Sequence, residues 1–236
     1  MANIIFRDVG FCYSSSEKAI TPILQGFNLE INGSGVSTII GNSGIGKTTF
    51  LKLVAKILLP QLGEILIESP IDHKIVFSFV SQNTMLLPFK TIRKNFSLPA
   101  EIFKDKEIVK FALQLLDLFG IGHTADMYPS QLSVGMRARA SLARALSVKP
   151  DILLIDEPFA NIDEIIKNNI MKFLKCYLHE NRTSAIFVTH NIMDALLFSD
   201  RIFLFTNKPA SSFTIFEYDK ADYIAYKRVI EALGGV

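Results

Sequence analysis

Residues Gly41-Asn42-Ser43-Gly44-Ile45-Gly46-Lys47-Thr48 match the pattern G-x-x-x-x-G-K-[ST]. Glycines in such a run let the backbone wrap a phosphate closely, with successive N–H groups turned inward. An apolar, β-branched run from Val36 to Ile40 precedes the pattern, and a stretch of helical character from Thr48 to Leu58 follows it. Strand, loop and helix in that order are the context in which the pattern binds nucleotide, because the helix N-terminus adds partial positive charge. There Lys47 reaches the β- and γ-phosphates and the Thr48 hydroxyl ligates Mg²⁺. A second segment, Asp151 to Phe159, reads Asp-Ile-Leu-Leu-Ile-Asp-Glu-Pro-Phe. An apolar strand delivers two adjacent carboxylates at its C-terminal end, the edge where α/β sheets bind ligands. Asp156 suits Mg²⁺. Neighbouring strand residues point to opposite sides, so Glu157 is free to face an attacking water as general base.

These groups need a framework to converge. Five short apolar runs read as strands covered on both faces: Val36 to Ile40, Ile75 to Val80, Ile152 to Ile155, Ala185 to Val188 and Ile202 to Phe205. Helical stretches from Thr48 to Leu58, Val134 to Ser147 and Ile165 to His179 separate them. Strands alternating with helices predict an α/β fold with a mainly parallel sheet. The stretch from Ile4 to Glu30 alternates more and reads as antiparallel strands at a sheet edge. Asn83 to about Ala125 has no strong strand pattern, but predicts a helix from Lys106 to Phe119 closed by Gly120. The organisation expected is one domain over 1–236, with a core of about 1–82 and 149–236 and a helical subdomain of about 83–148. The stretch Ala221 to Leu233 reads as a terminal amphipathic helix.

A third segment narrows the family. Pro129-Ser130-Gln131-Leu132-Ser133-Val134-Gly135-Met136-Arg137-Ala138-Arg139 precedes Ala143-Arg144-Ala145-Leu146. It resembles the signature segment, usually written LSGGQ, of ATP-binding cassette (ABC) ATPases. The resemblance runs from about Ile4 to about Phe205 and implies further roles. Gln82 fits the Q-loop residue that senses Mg²⁺ and the γ-phosphate. Asn161-Ile162-Asp163 fits the D-loop, His190 the switch histidine, and Tyr13 the aromatic that stacks on adenine. Asn42, Ser43, Ile45 and Thr49 complete the expected nucleotide contacts around the glycine loop. The family's fold is a P-loop NTPase with a mainly parallel core, an antiparallel β edge and an inserted helical subdomain. The resemblance also implies a head-to-tail homodimer with two ATP molecules between the chains. Each site then combines Lys47, Thr48, Gln82, Asp156, Glu157 and His190 of one chain with Ser133 and Gly135 of the other. Ser133 is a good cap for the helix after it, which leaves donors and a positive dipole end near Gly135. Val134 and Met136 depart from the family pattern, and so does Asn161-Ile162 before Asp163.

Composition excludes several other classes. The chain has 236 residues, 49% of them hydrophobic, and a formal net charge of +2. That charge is too mild to argue for a nucleic-acid partner. Mean hydropathy is +0.30, yet no apolar run approaches the ~18–20 residues of a membrane span. The two cysteines, Cys12 and Cys176, make no disulfide framework. Within the family, the lack of a fused membrane domain, of a long coiled coil and of a second phosphate loop points to a separate ATPase subunit. Its expected partners are integral membrane permease subunits and a solute-binding protein, and its expected place is the cytoplasmic face of the inner membrane, as a peripheral protein. Thr91-Ile92-Arg93-Lys94-Asn95, Leu98-Pro99 and the signature resemble the nitrate/sulfonate/taurine importer ATPases. Two alternatives stand beside that reading: a slow or non-hydrolysing regulatory module, motivated by Val134, and the ATPase of a lipid-transport system. Met85-Leu86-Leu87-Pro88-Phe89 reads either as core packing or as the floor of a groove for a membrane partner.

Overall fold

Two β-sheets and a group of inserted helices share the chain. The computed structural model describes residues 2–13, 22–33, 35–69, 74–159 and 162–205, together with the backbone of 213–216. The larger sheet has the order β5-β6-β7-β3-β8-β9. Its strands are β3 (Gly35–Gly41), β5 (Phe77–Val80), β6 (Ile152–Asp156), β7 (Ser184–Thr189), β8 (Arg201–Phe205) and β9 (Phe213–Phe216). All neighbours pair parallel except β8 and β9. Residues along β6 and β7 alternate between two cores. Leu153, Ile155, Ala185 and Phe187 join one cluster, while Ile152, Leu154, Ile186 and Val188 join the other. A strand buried on both faces has no polar side to display, which is why its sequence reads as an unbroken apolar run.

The antiparallel strands near the N-terminus form a sheet of their own, in the order β2-β1-β4. It comprises β1 (Asn3–Phe11), β2 (Leu24–Ile31) and β4 (Leu62–Glu68). Helix α1 (Lys47–Val54) lies between the two sheets. Phe50 of α1 stacks on Phe6 of β1, with ring centroids 4.7 Å apart. It meets Phe27 and Phe205 edge-on at 6.0 and 5.7 Å. All four rings are fully buried, so this aromatic cluster fixes the helix that carries Lys47 and Thr48. The helix stops at Val54, short of the expected Leu58. Lys56 adopts a left-handed conformation, and the N–H groups of Ile57 and Leu58 both turn back to the Lys52 carbonyl.

Between β5 and β6 the chain inserts α2 (Ile92–Phe103), α3 (Glu107–Leu118) and α4 (Val134–Ser147). Gly120 closes α3 at φ +70°: its N–H donates to the Asp117 carbonyl, and that of Ile121 to Leu116. This is a Schellman closure, which needs the left-handed residue that glycine supplies. Helix α2 was not expected; Thr91 caps it and it tolerates Pro99 in its interior. Asn95 of α2 is fully buried, and it ties down the turn before the helix. Its side chain accepts from the Leu87 N–H and donates to the Leu87, Lys90 and Thr91 carbonyls. In the adjoining apolar stretch Leu86 is buried, but Met85 and Phe89 are exposed rather than packed in the core.

Helices α5 (Glu164–Glu180) and α6 (Ile192–Phe198) complete the α-helices among the described residues. Among the described residues, no helix is long and apolar enough to cross a membrane. Asn161 and the expected helix from Ala221 to Leu233 lie outside the described residues.

Candidate functional site

Strand β7 lies between β3 and β6, so the C-terminal ends of these three strands form one edge. The loop Gly41 to Gly46 leaves β3 at that edge and enters α1. Gly44 and Gly46 take φ values of +78° and +113°, conformations that L side chains rarely adopt. A Cβ at Gly44 would meet nothing within 4 Å, so the loop presents bare backbone to open space there. Ile45 turns its side chain into the core and donates its N–H to the Asn42 carbonyl. Asn42, Ser43 and Gly44 are exposed. Lys47 is buried, and its Nζ donates to the carbonyls of Gly41 at 2.7 Å and Asn42 at 3.2 Å. Burial holds the Lys47 pKa below the ordinary lysine range, and the nearby Glu157 and Asp156 charges offset part of that shift. The cation thus lies folded against the loop it serves.

Thr48 and Asp156 meet across the edge. The Thr48 hydroxyl donates to Asp156 Oδ2 at 2.8 Å. Asp156 is buried, and burial raises its carboxyl pKa despite the Thr48 hydrogen bond. A hydroxyl and a carboxylate side by side are the hard oxygen donors that Mg²⁺ takes, usually with several waters and phosphate oxygens. These residues therefore fit the cation expected from the sequence. No cluster of three or more His, Cys, Asp or Glu able to hold a metal alone occurs among the described residues.

Glu157 leaves the strand by a different route from the simple alternation expected. Its φ is +47°, a left-handed conformation that costs a non-glycine residue about 1–3 kcal/mol. Its N–H is held by the Val188 carbonyl at 3.0 Å. The turn separates the two neighbouring carboxylates, Asp156 toward Thr48 and Glu157 toward His190. His190 Nδ1 stands 3.0 Å from Glu157 Oε2, and the His190 side chain is 62% exposed. The Val188 carbonyl and His190 thus hold this left-handed turn from two sides.

The remaining expected residues are spread around this centre. The Tyr13 hydroxyl is 3.2 Å from Thr49 Oγ1, and its ring meets Phe11 edge-on at 5.1 Å while staying half exposed. Gln82 is exposed just beyond the end of β5. Asp163 caps α5, accepting from the N–H groups of Ile165 and Ile166. Ser133 caps α4 by accepting from the Met136 N–H at 3.2 Å, the arrangement expected for it, and Gly135 lies in the first turn. Among the described residues, no hydrogen bond or ion pair joins Gln82, Ser133 or Gly135 to the Lys47–Asp156–Glu157 cluster. Three residues at this edge were not expected: Asn191, Asp194 and Lys167. The pattern Asn-x-x-Asp after an apolar strand was a readable helix start, and Asn191 does cap α6 through the Asp194 N–H.

Residues 24–160 match the family model described as the ABC transporter. The chain is 37% identical over 213 residues to the formylaminopyrimidine import ATP-binding protein ThiZ of Halalkalibacterium halodurans, covering 89% of this chain and 82% of that one. It is 38% identical over 198 residues to the bicarbonate transport ATP-binding protein CmpC of Synechococcus elongatus. That match covers 80% of this chain but only 29% of CmpC, so the chain spans less than a third of that relative. Among solved structures, a dimer of the bacterial ABC transporter cassette MJ0796 matches with a TM-score of 0.79 at 30% identity, covering 91% of this chain and 98% of that one. A post-hydrolysis dimer of the same cassette, bound to ADP and Pi, matches with a TM-score of 0.79 at 28% identity. The family model spans more than half of the residues and the relatives agree with it: the chain belongs to the ABC transporter family, as one of its ATPase cassettes.

Proposed function

We propose that the chain is the ATP-hydrolysing subunit of an importer, working as a head-to-tail homodimer that drives separate membrane permease subunits. The observation that carries this reading is the division of labour between Asp156 and Glu157. One carboxylate lies 2.8 Å from the Thr48 hydroxyl, the other 3.0 Å from His190. In this reading the glycine loop and Lys47 hold the β- and γ-phosphates of ATP. Thr48 and Asp156, with Gln82, hold Mg²⁺, which neutralises charge on the phosphate oxygens when bound. Water attacks the γ-phosphorus, its proton passes to the Glu157 carboxylate, and the β–γ bridge oxygen leaves with ADP. His190 steadies Glu157 from the other side. Tyr13 offers its exposed ring to the adenine.

Ser133, Gly135 and Asp163 serve the site of the partner chain. For Ser133 and Gly135 the exposed start of α4 supports this, because its uncovered N-terminus offers donors and a positive dipole end to a second chain. The import direction rests on relatives named as import or transport ATP-binding proteins, including a nitrate import protein of Synechococcus elongatus. By the same reasoning the chain sits peripherally on the cytoplasmic face of the membrane, in a system with a solute-binding protein. Met85 and Phe89, exposed beside Gln82, supply an apolar surface for a permease segment. Val134 favours a second reading, a slow or non-hydrolysing module. It is half exposed on the α4 turn whose N–H groups would face phosphate. Steady-state ATP hydrolysis by the purified chain and by Val134→Gly separates the two. The importer reading expects turnover in both forms, with Val134→Gly the faster. No turnover in either form would sink it.

A further inference from the structure

Behind Glu157 and His190 the fold buries an ion pair for which the reading above has no use. Lys167 Nζ on α5 donates to Asp194 Oδ1 on α6 at 2.7 Å and lies 2.9 Å from Glu164 Oε2. The Lys167 and Asp194 side chains are only 7% and 8% exposed. Burial lowers the affinity of Lys167 for its proton, but the Asp194 and Glu164 bonds outweigh this and raise its pKa, so it stays charged. Stability is a poor reason for such a pair, because the desolvation of two ions commonly cancels their attraction. A defined placement of the elements it joins is a better one.

The pair joins the starts of two helices. The Lys167 N–H donates to the Asp163 carbonyl at 2.8 Å, so Lys167 sits one turn after the cap of α5. Asp194 sits one turn after His190, and its N–H donates to Asn191 Oδ1 at 3.2 Å. The Asn191 N–H in turn donates to Thr189 Oγ1 at 3.0 Å. Hydrogen bonds therefore run without a gap from Asp163 to the loop that carries His190. The far ends of the same helices are tied separately, by Lys175 Nζ to the Phe198 carbonyl and to Asp200. Between the near ends lies a cavity of about 250 Å³, with Glu157, His190, Lys167 and Asp194 in its wall. Its carboxylates, Glu157, Glu164 and Asp194, outnumber Lys167, so it does not suit a second anion. It has room for several waters, at about 30 Å³ each. Water supports a side chain poorly, so the buried ion pair supplies a fixed polar connection across this gap, beside the apolar cluster that Phe198 of α6 shares with Ile170, Met171 and Leu174 of α5.

We propose that Lys167 and Asp194 are positioning residues for hydrolysis: their ion pair clamps α6 to α5, holds the His190 loop against Glu157, and links that loop to Asp163. The inference rests on reading Glu157 and His190 as the hydrolytic pair. Its test is steady-state ATP hydrolysis by the full chain with Mg²⁺, beside thermal melting. Lys167→Met should lower kcat by about tenfold to a hundredfold, the size expected when a reacting group is misplaced by an ångström. The KM for ATP should stay within about twofold, because the phosphate loop is untouched. Lys167→Arg, which keeps the charge, should recover most of kcat. Lys167→Met combined with Asp194→Leu replaces the pair by apolar groups; it should melt like the wild type and still turn over slowly. Wild-type kcat in that double variant, or a loss confined to KM, would overturn the clamp. Glu157→Gln, run alongside, separates the two failures. Wild-type turnover in Glu157→Gln would refute the hydrolytic pair itself. An inactive Glu157→Gln beside a fully active Lys167→Met would refute the positioning role alone.

Discussion

Thr48→Val removes a hydroxyl while nearly keeping the shape of the side chain, so its effects isolate the contact with Asp156. In the free chain that contact is a 2.8 Å hydrogen bond to a buried carboxylate. A hydrogen bond to an ionised acceptor is worth about 1.5–3 kcal/mol. Thr48 itself is exposed, so water replaces part of the lost donor and the lower end applies. A chain of this length shifts its Tm by about 2–4 °C per kcal/mol, so the nucleotide-free Tm should fall by about 3–6 °C. The ligand effect is larger and more specific. MgATP at a hundred times its Kd stabilises the wild type by about 2.7 kcal/mol, a rise of about 5–11 °C. In Thr48→Val the rise with MgATP should drop to the smaller rise seen with ATP and EDTA. Thermal melts of both proteins with no nucleotide, with ATP and EDTA, and with MgATP measure each quantity. A variant that responds to Mg²⁺ as the wild type does would refute the assignment of Thr48 to the metal.

Two further changes probe the neighbouring groups. Burial raises the Asp156 pKa above its ordinary 3.8, so ionising this group costs more in the folded chain than in the unfolded one. The stability it contributes in acid is lost as pH rises through the folded pKa, and the full penalty is present at pH 7. Asp156→Asn should therefore raise the nucleotide-free Tm at pH 7 and abolish Mg²⁺-dependent turnover, with the Tm gain vanishing in acid; a lower Tm at pH 7 would contradict this. Ser133→Ala removes the cap of α4 at a cost of about 1 kcal/mol, or about 2–4 °C in Tm. ATP binding by the single chain, followed by calorimetry, should be unchanged, because Ser133 serves the opposite site; a weakened single-chain affinity would count against that placement.

The sequence shows most clearly what is built from consecutive residues. The glycine loop, the Ser133 cap and the Gly120 closure are each encoded within a few positions, and each appears where its residues predict. The runs of β6 and β7 were readable because burial on both faces leaves no polar position. Long-range pairing was harder to see. Strand β4 joins β1 from more than fifty positions away, so nothing local distinguishes a separate sheet from an edge of the main one. The left-handed turn at Glu157 carries no glycine to announce it; the Val188 carbonyl and His190 hold it from outside. Nothing in the sequence singles out Lys167, because its partner Asp194 is 27 positions further on. The family resemblance put Glu157 and His190 in one site, but their direct contact at 3.0 Å was not legible, since neither periodicity nor spacing brings the two together.

If Glu157 opens the nucleotide site by hydrolysis after two chains have closed around ATP, removing the base should leave the pair closed. Light scattering coupled to size exclusion tests it directly on Glu157→Gln, which keeps the shape of the side chain and removes the base. With saturating ATP and Mg²⁺ the mass should shift from the 26.4 kDa monomer to twice that value, reversed when ATP is replaced by ADP. A Glu157→Gln chain that binds ATP and remains monomeric would contradict it.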